Sequence, residues 1–455
     1  MAFCHRRFLS ARAALAFAAV WFVGIVGLSR TWGAPIKSAP FHVLWHGTLP
    51  ARGMDLNVAV ARDGVWVSTD SGLSVLDPRS GRKLGEFRDP YLERLSPPTA
   101  VDDDFAVVAD SRCVYAVNRR GRELWRYPFG KADLSSEYIS SRAPVIAPDH
   151  TILAVGADGE VHAIDRTGKG LWHAPVGRYG DGKPAIPIAV TDDLLLLDTR
   201  PAHGDPPQLV GVDLRDGPGK IRFHLSLGTD VSGLVAGGPL GIVATSYAET
   251  KSKRGASRIV SLDGQGRRRW TVERGRHEAV RAVTSLGQLV TSSQDAAGTE
   301  PGTLVESWSA DGRQVGSFHT DLAVVAVLMG SDSVGYVVGC SGDSAAVQPF
   351  GLKLTPAPEI NLGVGCPATA TLDDRGILFL VGGGPPPLGH EPRVDLIAIQ
   401  TRSPAAAEGW ATPRANARGS AVFTLSPSIS GPERALHLAP LSPTAIPSDV
   451  RPEAP

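Results

Sequence analysis

Pairs of apolar segments, each pair joined by a short polar turn, recur eight times along this 455-residue chain. Successive turns are 40 to 48 residues apart. They are centred on Asp63, Asp103, Asp149, Asp192, Gly238, Leu286, Ser331 and Asp374. A fixed period of about 40–50 residues is typical of a β-propeller, in which each repeat forms one four-stranded blade. The pattern therefore predicts an all-β protein built from repeated blades.

The third repeat shows the contents of one unit. Its strands a to d are predicted at Pro144–Ala147, Thr151–Val155, Val161–Ile164 and around Trp172. Asp158-Gly159, between strands b and c, is a dipeptide typical of tight hairpins. Inner strands in the chain are apolar without alternation, which predicts that both of their faces are covered by neighbouring blades. The c strands alternate better and are expected nearer the rim.

The two ends of the repeat region suggest how the ring closes. Phe41–Leu49 resembles a d strand without a blade of its own, and the eighth unit ends after its c strand, Val394–Ile399. We expect the N-terminal strand to complete the last blade, which gives eight blades. Seven blades are the alternative, because Val347–Leu354 lacks the Asp…Gly turn and the tryptophan of other units.

The regions outside the repeats differ in composition. Residues 1–34 contain Ala13–Leu28, an uncharged apolar run that follows three arginines and is predicted to be a signal peptide or an uncleaved membrane anchor. Residues 41–422 are assigned to the propeller. Residues 423–455 are rich in Pro, Ser and Ala and are expected to be a disordered tail. The propeller is therefore expected outside the cytoplasm, in the periplasm, attached to the inner membrane if the first segment is not cleaved.

An exported compartment permits disulfides. Cys340 ends one strand pair and Cys366 precedes the next, and these places are neighbours in a propeller. A Cys340–Cys366 bridge is therefore predicted. The alternative is that these two residues and Cys113 are buried thiols.

Charge and motifs limit the functional classes. The 46 basic and 46 acidic residues balance, so bulk electrostatics give no reason to expect a nucleic-acid partner. No zincin, EF-hand, nucleophile-elbow or phosphate-loop spacing is found, and no metal site is predicted. Aspartate pairs such as Asp192-Asp193 and Asp373-Asp374 recur at the a–b turns and are interpreted as turn residues. Arginines cluster at the c–d turns, which lie on the same face of a propeller, so a docking face for an anionic partner is a further hypothesis.

The end of each unit carries a recognisable pattern. The motif V-x-A-[VI]-[ND]-x-x-G-x-x-L-W at Val114–Trp125 and Val161–Trp172 resembles the PQQ-like β-propeller repeat of the quinoprotein alcohol dehydrogenase-like superfamily. Gly409–Val422 is loosely similar to a Trp-Pro segment of those propellers. The resemblance covers Phe41 to about Val422 and implies the fold. Adjacent cysteines and a C-x-x-C-H haem site, which the family's enzymes would imply, are missing from the sequence, so no catalytic residue, cofactor or PQQ chemistry is carried over.

Unequal b–c connections suggest a binding surface. Four are extended: Thr199–Pro207, Tyr247–Ser257, Gln294–Thr303 and Gly382–Arg393. Insertions on one face of a repeat protein often mark its binding surface, although drift in tolerant loops is the alternative. The candidate partner-binding residues are Thr199, His203, Asp205, Tyr247, Lys251, Lys253, Arg254, Asp295, Glu300, His390 and Glu391.

Together these observations predict an exported, monomeric and non-enzymatic scaffold that binds a protein or an envelope component. A purely structural part of an envelope assembly complex is a related hypothesis. The alternative from another class is an enzyme that acts on a quinone or a glycan at the central channel. Converging carboxylates or histidines in the channel would favour the enzyme.

Overall fold

The computed structural model describes residues 41–401 with internal gaps. The gaps are 51–55, 62, 70–71, 89–99, 103, 110–111, 130–143, 157, 177–185, 192, 200–207, 228–230, 237–239, 251–252, 275–276, 285, 295–301, 333, 352 and 383–392. The predicted signal or anchor (1–34), the segment Gly409–Val422 and the tail (423–455) lie outside the described residues.

The described part of the chain is all-β. The strands are β1 (His42–Pro50), β2 (Asn57–Ala61), β3 (Gly64–Thr69), β4 (Gly72–Leu76), β5 (Lys83–Phe87), β6 (Ala100–Val101), β7 (Phe105–Ala109), β8 (Cys113–Asn118), β9 (Glu123–Pro128), β10 (Val145–Ile146), β11 (Ile152–Val155), β12 (Glu160–Ile164), β13 (Gly170–Pro175), β14 (Ile186–Val190), β15 (Leu194–Thr199), β16 (Gln208–Asp213), β17 (Ile221–Ser226), β18 (Val231–Ala236), β19 (Ile242–Thr250), β20 (Lys253–Leu262), β21 (Arg268–Arg274), β22 (His277–Val283), β23 (Leu289–Gln294), β24 (Thr303–Trp308), β25 (Gln314–Thr320), β26 (Ala323–Met329), β27 (Gly335–Ser341), β28 (Ser344–Phe350), β29 (Ile360–Gly365), β30 (Pro367–Leu372), β31 (Ile377–Gly382) and β32 (Arg393–Gln400).

These strands form eight antiparallel four-stranded sheets. Blades 1 to 7 take four consecutive strands each, from β2–β5 to β26–β29. Blade 8 has the order β30-β31-β32-β1, so the N-terminal strand is its d strand. The predicted closure is thereby confirmed. The unit around Val347–Leu354 forms a complete blade, β26–β29, so the seven-bladed alternative is wrong.

The a strands form the inner circle of the ring. Each of them contacts the a strand of the next blade, and β30 of blade 8 contacts β2 of blade 1, which closes the circle. The hydrophobic clusters lie between blades: one joins Val58 and Val65 of blade 1 to Phe379 and Val381 of blade 8. A twisted sheet with two apolar faces is thus shielded from water by copies of itself.

The c strands lie outside strands a and b, nearer the rim, as predicted, but their residues do not alternate between buried and exposed. The c strand β4 is buried along its whole length, and β8 and β12 are buried except at their ends. Alternation belongs instead to the d strands, such as β9 and β17, whose residues are alternately exposed and half-buried. The rim is therefore formed by the d strands, because each c strand is still covered by the adjacent blades.

An aromatic side chain of one blade packs on the c–d turn of the next. The indole N–H of Trp125 in blade 2 donates to the carbonyl of Arg166 in blade 3 at 2.8 Å. Gly168 of that turn has φ +86°, and a Cβ atom there would lie 2.7 Å from the Trp125 ring. Trp45 of β1 donates likewise to Pro78 of blade 1 at 3.0 Å, across the closure. The repeated Trp and Gly of the sequence motif therefore hold neighbouring blades together.

Cys340 and Cys366 form a disulfide with their Cα atoms 5.2 Å apart, as predicted. Cys340 lies near the end of β27 in blade 7, and Cys366 lies between β29 and β30, where the chain enters blade 8. The bridge therefore fixes the connection between two blades. Cys113 is partly buried and does not belong to a disulfide.

None of the described residues belongs to a helix that is long and apolar enough to cross a membrane.

Candidate functional site

The a–b and c–d turns lie on one face of the ring, here called the a–b face, and the b–c turns lie on the opposite b–c face. Arg119, in the c–d turn of blade 2, approaches Asp63, in the a–b turn of blade 1, to 4.0 Å. Arg166, in the c–d turn of blade 3, contacts Asp104, in the a–b turn of blade 2, at 3.0 Å. The predicted arrangement of acidic a–b turns beside basic c–d turns is confirmed at these two places.

Several c–d turns are built around a polar residue at the end of strand c or just after it. Asp165 is an example: its Oδ1 accepts hydrogen bonds from the backbone N–H groups of Thr167 and Lys169 and from the Thr167 hydroxyl. The hydroxyl and backbone bonds lower the pKa of Asp165. Asp77 and Asp263 make equivalent turns in blades 1 and 5. These aspartates are therefore occupied by turn formation, as the sequence predicted, and the turn arginines project from a fixed frame.

A groove of about 1060 Å³ lies on the a–b face where blades 8, 1 and 2 meet. It is lined by six basic and three acidic side chains. The basic residues are Arg79, Arg82, Lys83, Arg119, Arg120 and Arg375, and the acidic residues are Asp63, Asp77 and Asp374. The excess of positive charge makes this basic groove attractive to a negatively charged ligand.

The cations of the basic groove differ in how strongly they are engaged. Lys83 contacts Glu86 at 2.7 Å, and Arg375 contacts Asp373 at 2.6 Å. Arg79 and Arg120 are exposed and have no carboxylate partner among the described residues. These two side chains are therefore available to an incoming anion. Because exposed charged side chains contribute little to stability, Arg79 and Arg120 are not required for the fold.

The a–b face also contains a buried carboxylate. Asp102 is 2% exposed and contacts Arg166 of the next blade at 2.8 Å and His150 at 2.8 Å. The Arg166 guanidinium also lies over the Phe105 ring, 5.7 Å from its centroid. Arg166 thus joins blades 2 and 3, and this pair is part of the scaffold rather than an open site.

The b–c face differs from its predicted form. Tyr247–Ser257 was expected to be a loop, but β19 and β20 pair from Tyr247↔Ser257 to Thr250↔Lys253. The neighbouring strands β18 and β21 reach only Ser246 and Ser257. Residues 247–250 and 253–256, here called the blade 5 hairpin, therefore continue as two paired strands beyond the sheet, because residues on the two strands can satisfy each other's backbone hydrogen bonds.

The other predicted residues of this face are distributed as follows. Thr199 is the buried last residue of β15 and pairs with Gln208. Tyr247, Lys253 and Arg254 lie on the strands of the blade 5 hairpin. His203, Asp205, Lys251, Asp295, Glu300, His390 and Glu391 lie outside the described residues. Their proposed role in binding stays a prediction.

Sequence reasoning missed a cluster of ionisable residues at the b–c end of blade 3. Asp158, Glu160 and His162 can each offer a ligand atom, and these atoms all lie within 4.8 Å of one another. His162 is 4% exposed. From the sequence, this part of blade 3 had been considered only for the tight turn at Asp158-Gly159. The signal was the sequence D-G-E-V-H in residues 158–162, in which Glu160 and His162 alternate on one face of a strand and Asp158 lies in the turn just before it.

Tyr127 of blade 2 adjoins this cluster. Its hydroxyl lies 3.2 Å from Nδ1 of His162. Burial raises the pKa of Tyr127, and the negative charges of Asp158 and Glu160 raise it further. The surroundings of His162 are therefore electronegative.

Arg281 is a second ionisable group that the sequence did not single out. It lies on β22, an inner strand, and donates to Ser292 Oγ at 2.8 Å and to the carbonyl of Val325 in blade 7 at 3.0 Å. Burial lowers its pKa. Its donors are used to join blades 6 and 7, which is a structural role.

The sequence matches a known family model. Residues 69–218 and 157–321 match the model described as outer membrane protein assembly factor BamB, and the two matches together span more than half of the chain. No curated protein matches the sequence.

Two solved structures show the fold of this chain. The crystal structure of BamB from Moraxella catarrhalis is 15% identical with a TM-score of 0.52, and the alignment covers 80% of this chain and 98% of that chain. The structure of the Dos1 propeller is 12% identical with a TM-score of 0.50, with 79% and 95% covered. At these identities the likeness supports a propeller and not a particular activity.

Proposed function

We propose that this chain, which belongs to the PQQ-like β-propeller family described as outer membrane protein assembly factor BamB, is an exported, non-enzymatic scaffold that binds another protein of the cell envelope. The apolar segment Ala13–Leu28 supports export, and the family description supports a role in assembly.

The basic groove is the observation that carries this proposal. A concave surface with a net excess of cations fits an acidic segment of a partner protein better than it fits a flat membrane, because a membrane cannot enter a recess. Asp63 and Asp374 on its walls can in turn accept hydrogen bonds from basic residues of the same partner. Complementary charges of this kind increase the rate of association and fix the orientation of the partner.

The b–c face is a second candidate surface of the same scaffold. The blade 5 hairpin supports it, because its strands extend beyond the sheet and carry Lys253 and Arg254. Strands that extend past their neighbours can pair with a strand of another protein.

Site-specific photo-crosslinking of the full chain in envelope extracts tests the proposal. A crosslinking residue at position 82, which also lines the basic groove, is expected to capture a partner there. The double substitution Arg79→Glu and Arg120→Glu is expected to reduce capture at least about tenfold, and added salt should act in the same direction.

Arg313→Glu is the matched control. Arg313 is also an arginine of a c–d turn and is 85% exposed, but it lies in blade 6, away from the groove. Capture should be unchanged in this variant. If the groove variant captures its partner as well as the control does, the groove is not the binding site. Replacing 248–255 by a two-residue turn tests the b–c face separately, and equal capture by all variants would exclude both surfaces.

A further inference from the structure

Four side chains with metal-ligand chemistry meet at the b–c end of blade 3. Glu160 and His162 point to the same face of β12, because they are two residues apart on a strand. Asp158 occupies the preceding b–c turn. His173 lies directly opposite His162 on the neighbouring strand β13. The topology of one blade is thus sufficient to bring them together.

The contacts pair each imidazole with one carboxylate. Nε2 of His162 lies 3.0 Å from Oδ2 of Asp158, and Nδ1 of His173 lies 2.5 Å from Oε2 of Glu160. The two imidazole rings are stacked with centroids 5.8 Å apart. Two ligands of a tetrahedral zinc ion, each at about 2.0 Å from it, are separated by about 3.3 Å. The ligand atoms of Asp158, Glu160 and His162 already lie within 4.8 Å of one another, and a rotation of the exposed His173 side chain would bring its nitrogen to the same ion.

The second nitrogen of His162 has a partner from another blade. Nδ1 lies 3.2 Å from the hydroxyl of Tyr127, and the ring of Phe129 packs against the imidazole with centroids 5.1 Å apart. If Nε2 holds a metal, Nδ1 carries the proton and donates a hydrogen bond to the Tyr127 oxygen. An outer partner of this kind fixes the tautomer and the orientation of a metal-binding histidine.

Charge also favours a cation. Asp158 and Glu160 place two carboxylates beside a histidine that is 4% exposed, and nearby carboxylates repel each other. A divalent ion with two neutral imidazoles and two carboxylates makes a neutral group. Imidazole with carboxylate suits zinc, whereas calcium and magnesium prefer oxygen ligands alone.

We propose that Asp158, Glu160, His162 and His173 form a binding site for one zinc ion, with Tyr127 as the residue that orients His162. The site lies on the face opposite the basic groove and does not depend on the proposed partner. Bound zinc would cross-link strands β12 and β13 and the b–c turn of blade 3, and so stabilise the outer part of this blade.

Isothermal titration of the full chain, free of any histidine tag, with ZnCl₂ tests the site. We expect one zinc ion per chain and no binding of MgCl₂ or CaCl₂ at the same concentration. His162→Ala should weaken binding at least about 100-fold, and Tyr127→Phe about tenfold with the stoichiometry retained. X-ray absorption of the loaded protein should show nitrogen and oxygen ligands at about 2.0 Å.

His150→Ala is the matched control. His150 also pairs with an aspartate, Asp102, at 2.8 Å, but it lies on the a–b face without a second histidine. Its removal should leave zinc affinity unchanged. If His162→Ala does not fold, zinc binding is measured in Glu160→Gln and His173→Gln instead. Both side chains are partly exposed, so their replacement should leave the fold intact. A wild-type chain that binds no zinc, or variants that bind as well as the wild type, would overturn the proposal.

Discussion

At the scale of single residues, the same turn chemistry recurs between several blades. These c–d turns have an acceptor side chain at the start and a glycine with positive φ at the end, and the glycine also leaves room for an aromatic ring of the preceding blade. Gly266 meets both demands: its φ is +74°, and a Cβ atom would lie 2.6 Å from the Phe223 ring. The glycine of the sequence motif is thus required by a contact between neighbouring blades.

Gly266→Ala should therefore destabilise the protein. The added methyl group would clash with Phe223 in a conformation that alanine rarely adopts, and we expect a loss of about 1–3 kcal/mol in the free energy of unfolding. Gly264→Ala in the same turn is the control, because a Cβ there meets nothing within 4 Å. Urea unfolding measures both, and similar losses in the two variants would contradict the explanation.

The ionisation of Asp213 makes the free energy of unfolding depend on pH. Burial tends to raise its pKa, but hydrogen bonds from Arg222 and from the backbone N–H groups of Arg215 and Asp216 outweigh burial, so the pKa is lowered below 3.8. A carboxyl whose pKa is lower in the folded state stabilises the protein above its unfolded pKa. That contribution is lost as pH falls through the folded value.

Asp213→Asn should reduce the free energy of unfolding at pH 7 by about 1–3 kcal/mol and should flatten its decrease below about pH 4. Asp374→Asn is the control, because that side chain is 81% exposed. Urea unfolding between pH 7 and pH 3 checks the result. An acid dependence that is unchanged in Asp213→Asn would show that other groups control it.

At the scale of elements, the order of the strands was predictable, but their exposure and their ends were not. The four-strand unit and the closing strand β1 follow from patterns within about 45 residues. The c strands lie nearer the rim than strands a and b, as predicted, but β4 is fully buried instead of alternately exposed, because burial depends on the adjacent blade, which the local pattern does not describe. The connection Tyr247–Ser257 was predicted to be a loop because it is longer than a tight turn, although opposed strands satisfy each other's backbone groups whatever their polarity.

The Cys340–Cys366 bridge belongs to this scale, since it fixes the passage from blade 7 to blade 8. Cys340→Ser with Cys366→Ser should lower the free energy of unfolding by about 2–4 kcal/mol, because a link over 26 residues restricts the unfolded chain. Cys113→Ser, at a cysteine outside the disulfide, is the control. Thermal unfolding under oxidising and reducing conditions measures the difference. If reduction leaves the wild-type midpoint unchanged, the bridge does not contribute.

At the scale of the whole molecule, stability depends on closure. Each blade has two apolar faces, so an open stack would expose the outer faces of blades 1 and 8. β1 prevents this by pairing with β32, and its Trp45 packs on Phe379 with ring centroids 6.2 Å apart. The same indole donates to Pro78 of blade 1. One side chain therefore connects both ends of the repeat region.

Trp45→Ala should destabilise the entire ring by about 3 kcal/mol, since it removes packing on both sides of the closure. Leu124→Ala, at a d-strand residue that is 51% exposed, should change stability by less than about 0.5 kcal/mol. Hydrogen exchange in blades 1 and 8 checks whether the effect is concentrated at the closure. Faster exchange limited to a distant blade would contradict this role for Trp45.

The sequence by itself determined the repeat, the strands of each unit, the pairing of Cys340 with Cys366 and the role of the Asp and Gly turns. These features depend on residues that are close in the chain or that recur at a fixed period. Only the tertiary structure decided which turns form the basic groove and that Tyr127 of blade 2 faces His162 of blade 3. Those contacts join different blades, and their distances are set by how sheets pack, which no local pattern of apolar and polar residues encodes.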